Sequence, residues 1–301
     1  METCAPAPFD AIGWNMIHSA RSIDHCVLPT ASLTIARARL SKLGFTVAPN
    51  GLHPFGTENC CVYFADGTFL EPLAVANATS AAAAIADGNV FVARDHDWRK
   101  HRGEEGFSAL VFGSVDADSD HAAFVEAGVS AGRRLDFSRT FADASGRADV
   151  ASFRLAFAAD PTVTDTFVFT CERANAPKVD RSALQTHENG VSRIRAVLVD
   201  TTNIARFIPL FAAVTGVTPR NDAIGAVFAA ANGDIILREV AGSSHSPAAD
   251  VTFSGIVFGT HNLGGLAESL AGRGIMHSLQ AGRLVVPPEA GQGAAFIFED
   301  L

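Results

Sequence analysis

Apolar and polar residues first alternate clearly at "IDHCVL" (23–28), where one histidine interrupts an otherwise apolar run. Side chains on a β-strand point alternately to its two faces. The alternation therefore predicts a strand in which Ile23, His25 and Val27 share one face and Asp24 lies on the other. An imidazole on an apolar face needs a partner, because burial of an unpaired polar group costs free energy.

A helical pattern follows this strand. In "TASLTIARARLSKLGFTV" (30–47) apolar residues recur at the spacing of one helix face. Ser32 is the expected N-cap and Gly44 the expected stop after the last turn, and a strand is predicted to begin at Phe45. After a loop rich in proline and glycine, the runs "NCCVYF" and "FLEPLAV" flank the hairpin signal Asp66-Gly67. The predicted order is strand, helix and three strands.

The same order recurs along the chain, in units of about 21–75, 105–172, 192–242 and 251–301. The run "FSALVFGS" that opens the second unit matches "FSGIVFGT" in the fourth almost letter for letter. Recurrence of both order and spacing indicates an internal repeat. We therefore predict an α+β fold of four tandem βαβββ units, paired into two curved mixed-sheet domains. The expected domains are 1–175 and 191–301, joined by the polar linker 176–190.

Composition limits the classes of partner. The chain is 48% hydrophobic and 18% charged, which supports a sizeable core. A net charge of −9 without a basic stripe argues against nucleic acid and anionic membranes as partners. No apolar run approaches the roughly 20 residues of a membrane span. Five irregularly spaced cysteines and an N-terminus without a signal-peptide pattern predict reduced thiols in a cytoplasmic protein.

Several short motifs within the first 75 residues occur together in one known family. They are Asp-His in the first strand, Leu-Gly-Phe after the helix, "HPFGTEN" in the loop and "FLE" after the Asp-Gly-Thr turn. With these motifs the sequence resembles the glyoxalase-like domain family of the vicinal oxygen chelate superfamily. The resemblance implies that two units pair into a curved sheet whose concave face holds a metal or a small ligand.

The resemblance also implies that His25 and Glu71 meet on that concave face, since the first and last strands of a family unit are neighbours. Glu71 interrupts an apolar strand face in the same way as His25. A neutral imidazole and a carboxylate are ligands for Zn²⁺, Mn²⁺, Ni²⁺ or Fe²⁺. The alternatives are a structural ion pair or a ligand site without metal.

The other units lack matching metal ligands. Superfamily metal enzymes draw ligands from two paired units, and Glu172 is the one candidate for a third ligand here. In the second unit the position of His25 is taken by Ser108, Ala109 or Leu110, and in the fourth unit by Ser254 or Gly255. In the third unit Ala196 stands at the position of His25 and Leu237 at that of Glu71, and none of these residues is a usual metal ligand. Neither the four ligands of glyoxalase I nor the two histidines and one carboxylate of an extradiol dioxygenase are visible. The second domain is therefore expected to be structural or to form a homodimer.

Further candidates lie on loops and on a later strand. His53, Thr57 and Asn59 are expected at the mouth of the cleft, where they would hydrogen-bond a substrate; the alternative is a loop held by its own turns. Arg139 is a candidate for binding an anionic substrate, although an exposed or ion-paired arginine is the ordinary interpretation. His187 in the linker is expected to pack structurally.

Two classes of function follow. As an enzyme, the protein would be a lyase, an isomerase or a dioxygenase-like catalyst acting on a small oxygenated molecule, with His25 and Glu71 as catalytic residues. A metal held by this pair would polarise vicinal oxygens, and a carboxylate would move the proton. As a binding protein, it would sequester a small apolar ligand in the same cleft.

Overall fold

The structure is a computed structural model that describes residues 19–142, 148–176, 180–241 and 250–301, and the side chains of 141, 142 and 148 are left out of the description. The prediction that the N-terminus carries no signal peptide concerns residues that lie mostly outside these ranges. None of the helices in the described part of the chain has the length and apolar character needed to cross a membrane.

The first half of the chain contains two units, each opened by a strand and a helix. The first unit comprises β1 (Ile23–Pro29), α1 (Leu33–Lys42), β2 (Gly51–Leu52), β3 (Thr57–Asn59), β4 (Val62–Tyr63) and β5 (Phe69–Val75). Two helices follow it, α2 (Ala78–Ala86) and α3 (Val90–Arg102). The second unit comprises β6 (Ala109–Ser114), α4 (Ala117–Glu126), β7 (Leu135–Ala142), β8 (Ala148–Ala158) and β9 (Phe167–Asn175).

The second half repeats the pattern after a short 3₁₀ turn at Ser182–Leu184. The third unit comprises β10 (Val191–Thr201), α5 (Ile204–Thr215), β11 (Arg220–Asp222), β12 (Gly225–Ala229) and β13 (Asp234–Glu239). The fourth comprises β14 (Val251–Thr260), α6 (Leu263–Gly272), β15 (Ser278–Gln280), β16 (Arg283–Val286) and β17 (Ala295–Asp300).

Each half forms one mixed sheet. The strand order is β2-β3-β5-β1-β6-β9-β8-β7 in the first sheet, where β4 also pairs with β5, and β11-β12-β13-β10-β14-β17-β16-β15 in the second. Within a unit the first and last strands are parallel neighbours, and the two units of a sheet meet through antiparallel first strands. The predicted α+β fold, with units paired into two curved mixed sheets, is confirmed. The exact domain boundaries stay a prediction.

Local signals around α1 behave as the sequence indicates, with one exception. The Ser32 side chain accepts a hydrogen bond from the backbone N–H of Thr34, and Gly44 follows the helix at φ 86°. The predicted strand at Phe45 is wrong, because no strand forms there. Instead, the Phe45 N–H bonds to the Leu40 carbonyl and the chain turns inward.

Phe45 lies in the core that the two sheets share. Its ring centroid is 6.0 Å from that of Phe64 in the first half and 5.6 Å from that of Phe258 in the second. One continuous apolar cluster contains residues of both sheets and of helices α1, α4, α5 and α6. Packing against this shared core fixes one face of the first sheet and leaves its opposite, concave face to build a site.

Candidate functional site

The geometry of β1 departs from simple alternation at Asp24. Ile23 of β1 pairs with Phe112 of β6, and His25 pairs with Val111. Between these two pairs β1 therefore has one more residue, Asp24, than β6. Such a β-bulge reverses the side-chain alternation. Ile23 therefore packs into the shared core, whereas Val27 packs on the concave side and His25 lines the concave cavity. The prediction that Ile23 shares the face of His25 is wrong for this reason.

His25 and Glu71 meet on the concave face. The Nε2 atom of His25 lies 3.3 Å from Oε2 of Glu71, and both side chains are under 10% exposed. The parallel pairing of β1 with β5 produces this approach, because it places Glu71 beside Val27, two residues after His25. The ring of Phe69 stacks on the imidazole at 4.3 Å between centroids, which fixes the plane of the ring.

The other nitrogen of His25 is held by Asp24. Nδ1 donates to Oδ1 of Asp24 over 2.6 Å, and the guanidinium of Arg173 on β9 binds the same carboxylate at 2.7 and 2.8 Å. A carboxylate at Nδ1 fixes the direction in which Nε2 points. Simple alternation along the strand predicts Asp24 on the far face, so the sequence alone does not assign Asp24 to the site.

His53 contacts the opposite side of Glu71. Its Nε2 lies 3.7 Å from Oε1 of Glu71, and its Nδ1 lies 2.8 Å from the hydroxyl of Thr57. Asn59 donates from Nδ2 to Oε1 of Glu71 over 2.6 Å and lies 3.4 Å from Nε2 of His53. The expectation that His53 lies at the mouth of the cleft is wrong, since the residue is 9% exposed and its ring stacks on Phe55.

The three titratable groups differ in charge state. Burial alone would raise the pKa of Glu71, but the hydrogen bond and charge of His25, together with His53 and Asn59, lower it to about 2. Burial alone would lower the pKa of His25, yet Asp24 and Glu71 raise it. Burial lowers the pKa of His53 to about 4. At neutral pH the site therefore holds an ionised Glu71 beside a neutral His53, and the negative charges of Asp24 and Glu71 favour the charged form of His25.

These groups line one cavity of about 60 Å³. His25, His53, Asn59 and Glu71 form its polar side, and Arg139 of β7 reaches it from the second unit. Phenylalanine side chains dominate the remaining wall: Phe55, Phe69, Phe91, Phe137, Phe153 and Phe169. Thr57 is fully buried behind His53 and does not line the cavity. Five of the six residues selected from the sequence therefore meet in this cavity, and their roles stay predictions.

The pairing of the units shows which residues replace the missing partners of His25 and Glu71. Val27 pairs with Glu71 in the first unit, as Val111 pairs with Phe169 in the second. Across the central strands, His25 faces Val111 and Val27 faces Ala109. This two-fold pattern matches His25 to Ala109 and Glu71 to Phe169, neither of which can bind a metal.

The second sheet is apolar at the same positions. The Thr201 hydroxyl accepts from the N–H of Asn203 before α5, as Thr30 accepts from Ser32 before α1, which aligns the two units. In this alignment Ala196 corresponds to His25 and Leu198 corresponds to Val27. Because Leu198 pairs with Ile236 as Val27 pairs with Glu71, Ile236 corresponds to Glu71. The expected Leu237 instead packs in the shared core, whereas Ala196 and Ile236 form a small apolar cluster.

The residues present fit a metal ion poorly. The amide of Asn59 is directed at Oε1 of Glu71 and approaches Nε2 of His53, two atoms that would have to face a cation. Within the described ranges, no group of three or more His, Cys, Asp or Glu side chains is arranged to hold a metal. The proposed third ligand is wrong: Glu172 accepts from the N–H of Ala117 at the start of α4 and does not line the cavity.

His187 has the structural role expected for it. Its Nδ1 accepts from the N–H of Thr46, its Nε2 lies 2.9 Å from the carbonyl of Tyr63, and burial lowers its pKa. The ring packs edge-on against Phe45 and Phe64. It therefore joins the segment after β9 to the first unit.

Comparison with known proteins is consistent with this geometry. The family model described as "Glyoxalase-like domain" matches residues 23–215, which cover both units of the first sheet and more than half of the chain. No curated protein matches the sequence significantly.

Solved structures share the fold at low identity. A hypothetical protein from Staphylococcus aureus is 12% identical, with a TM-score of 0.63, and the match covers 93% of this chain and 100% of that one. A mutant 4-hydroxymandelate synthase from Streptomyces coelicolor is 14% identical, with a TM-score of 0.61 and coverage of 94% and 93%. The Mn(II)-bound glyoxalase from Novosphingobium aromaticivorans is 10% identical, with a TM-score of 0.54 and coverage of 94% and 82%. The chain belongs to the glyoxalase-like domain family of the vicinal oxygen chelate superfamily.

Proposed function

We propose that the protein is an enzyme that moves a proton within a small oxygenated molecule, an isomerase or lyase of the glyoxalase kind. One observation carries the proposal: the carboxylate of Glu71 faces the Nε2 of His25 at 3.3 Å in a cavity walled mostly by aromatic side chains. A carboxylate and an imidazole that face each other in a cavity supply a base and a hydrogen-bond donor for proton transfer.

In the proposed reaction Glu71 is the base. Its carboxylate takes a proton from the carbon beside a carbonyl group, and the electron pair of the broken C–H bond forms a carbon–carbon double bond. The carbonyl oxygen becomes negative and receives a hydrogen bond from Nε2–H of His25. In a hydroxyketone the hydroxyl proton then moves to the enolate oxygen, and return of the first proton to the former carbonyl carbon gives the isomeric hydroxyketone. In a lyase reaction the electron pair of the broken C–H bond instead expels a leaving group from the next carbon, and the leaving group departs with its own bonding electrons.

In this reaction Nε2–H of His25 changes its hydrogen-bond partner from Glu71 to the substrate oxygen, and the contacts of the site favour that change. In the free protein His25 is the main group that lowers the pKa of Glu71 against the effect of burial. When Nε2–H of His25 bonds to the substrate oxygen instead, Glu71 loses part of that stabilisation and becomes a stronger base. Asp24 keeps the imidazole directed at the cavity throughout.

No step of the proposal passes through a metal ion, because the pairing of the units puts Ala109 and Phe169 where further ligands would be needed. A neighbour of the same fold is a Mn(II)-bound glyoxalase, so the metal content of this protein is a separate question with its own measurement.

A second candidate function is binding without catalysis. The phenylalanine wall of the cavity favours it, since binding sites for small ligands are mostly apolar with a few placed polar groups. In that case the His25–Glu71 pair would only orient the ligand.

Exchange of substrate protons with solvent separates the two candidates. Small hydroxyketones and oxo acids are incubated with the protein in D₂O, and ¹H NMR follows the protons beside each carbonyl. We expect faster exchange for at least one compound and a loss of roughly 10²–10⁴-fold in Glu71→Gln, the range of general base catalysis. Glu58→Gln is the matched control, because Glu58 lies on β3 and does not line the cavity.

Two results would contradict the assignment of Glu71. One is exchange that persists unchanged in Glu71→Gln. The other is binding of the compounds without any exchange in the unmodified protein, which would support the second candidate instead.

A further inference from the structure

We infer that the ligand of this site is a carboxylate whose charged group binds Arg139 in an outer chamber while its uncharged, oxygenated end enters the inner cavity. The inference rests on the proposed function, because it names the substrate class of the same site. It depends on the shape of the cavity, on the contacts of Arg139 and on one glycine.

The inner cavity continues into a wider outer chamber of about 360 Å³. Tyr63, Arg139 and Phe153 line both spaces, so these residues form the passage between them. Arg173 and Arg181 lie farther along the wall of the outer chamber, where Asp180 is the acidic residue. The approach to His25 and Glu71 is therefore a predominantly basic space.

Arg139 differs from Arg173 in its contacts. Arg173 is bound to the carboxylate of Asp24 at 2.7 Å. Arg139 lies 5.9 Å over the ring of Phe153, and none of the carboxylates in the described ranges lies within ion-pair distance of it. A half-buried guanidinium without an acidic partner beside a cavity is suited to an anionic ligand, because partial desolvation strengthens its attraction for a negative charge.

The absence of a side chain at Gly51 leaves space for the guanidinium of Arg139. A Cβ atom at residue 51 would lie 2.4 Å from Nη1 of Arg139 and 2.7 Å from Oδ1 of Asn59. The backbone of Gly51 has no positive φ angle, so the absence of a side chain here provides space rather than conformational freedom. The guanidinium therefore lies over the β2 backbone beside Asn59, whose amide binds Glu71.

The charges favour a carboxylate over a phosphate dianion. Asp24 already neutralises Arg173, and Asp180 adds a negative charge to the outer chamber. A planar guanidinium also matches the two oxygens of a carboxylate with two parallel hydrogen bonds. The inner cavity of about 60 Å³ has space for only a few non-hydrogen atoms beside His25, His53 and Glu71. A short hydroxy or oxo acid meets these requirements.

A matched pair of probes tests the inference on the full chain. Lactate carries a carboxylate beside a hydroxyl group, and lactamide has the same shape without the charge. Ligand-observed NMR titrations measure the binding of each to the unmodified protein and to Arg139→Gln, Gly51→Ala and Arg134→Gln. Arg134→Gln is the control, because it removes the same charge from a residue near the same strand that is paired with Asp118 and Asp136.

We expect the unmodified protein to bind lactate more tightly than lactamide. Arg139→Gln should weaken lactate binding by roughly 10-fold or more, as for loss of a hydrogen bond to a charged group, and leave lactamide binding unchanged. Gly51→Ala, whose added Cβ would displace Arg139 and also press on Asn59, should weaken lactate binding more than lactamide binding without changing any charge, and Arg134→Gln should have no effect. Retained lactamide binding shows that each variant keeps its cavity.

Three results would overturn the inference: equal binding of the two probes, lactate binding that is unchanged in Arg139→Gln, or inorganic phosphate that competes as well as lactate. These titrations need no turnover. A failed exchange assay combined with lactate binding that depends on Arg139 would refute the proposed reaction alone, while the opposite combination would refute the carboxylate alone.

Discussion

Asp24 and His25 are adjacent on β1, yet their side chains bind each other, with Nδ1 and Oδ1 2.6 Å apart. Consecutive residues of a regular strand point to opposite faces. The β-bulge at Asp24 removes that constraint and places a carboxylate behind the histidine that faces Glu71. The site thus contains a chain of charges, Arg173–Asp24–His25–Glu71, that runs from the outer chamber to the inner cavity.

This chain predicts that Asp24→Asn lowers the pKa of His25. Both the hydrogen bond to Asp24 and its negative charge raise that pKa, so an uncharged amide should let the effect of burial prevail. NMR titration of the His25 ring protons measures the change. Asp118→Asn, which alters an exposed carboxylate of α4, should leave the titration as it is. An unchanged His25 titration in Asp24→Asn would show that Asp24 does not control the imidazole.

His53 makes the protein less stable in weak acid. Its pKa is about 4 in the folded protein and about 6.5 in an unfolded chain, so below pH 6.5 the unfolded state takes up the proton first and the free energy of unfolding falls until about pH 4. One pKa unit corresponds to about 1.4 kcal/mol, which gives a loss of about 2 kcal/mol between pH 7 and pH 5.

His53→Gln should remove that loss. Urea unfolding at pH 7 and pH 5 is compared for the unmodified protein, His53→Gln and the control His261→Gln, which replaces an exposed histidine. We expect the control to follow the unmodified protein and His53→Gln to lose less stability between the two pH values. Equal losses in all three proteins would mean that His53 titrates normally.

The metal content of the protein should be low. Asn59 directs its amide at Glu71 and His53, and the matched positions of the second unit are Ala109 and Phe169. Elemental analysis of protein purified without chelator should find Zn, Mn, Ni and Fe well below one equivalent in total. Asn59→Asp, which replaces the amide by a carboxylate, should raise that content.

The opposite finding would restore the metal interpretation. One equivalent of a divalent metal in the unmodified protein, lost in His25→Ala, would show that His25 and Glu71 are ligands as the sequence first suggested.

Gln292 joins the two halves of the chain. It is fully buried; its Oε1 accepts from Arg39 of α1 at 2.7 and 2.9 Å, and its Nε2 donates to backbone carbonyls of the fourth unit, the shortest bond being 2.8 Å to Ala294. Gln292→Ala leaves these groups without partners and should cost about 1–3 kcal/mol of stability. Glu289→Ala removes the other, half-exposed partner of Arg39 and should cost less than about 1 kcal/mol. Thermal and urea unfolding measure both, and equal effects would contradict this role for Gln292.

Elements that depend only on nearby residues could be predicted from the sequence alone. Ser32 and Gly44 bound α1 through contacts within a few residues, and Asp66-Gly67 makes a tight turn whose Asp66 side chain binds Thr68. The parallel neighbourhood of β1 and β5, implied by the family motifs, was enough to bring Glu71 toward His25. Local capping, turn chemistry and period are properties of short segments, so one sequence is sufficient to reveal them.

The way in which these elements combine into a site depends on long-range contacts. The bulge in β1 follows no local signal: the backbone N–H and C=O of Ile23 bind the side chain of Asn232, at 2.7 and 2.9 Å, in a turn of the second sheet. His53 is buried because Phe91 of α3 and Phe137 of β7 pack against its ring. Arg139 reaches the cavity from the second unit, over Gly51 of the first. Each of these positions depends on contacts between residues far apart in the chain, which alternation and propensity cannot encode.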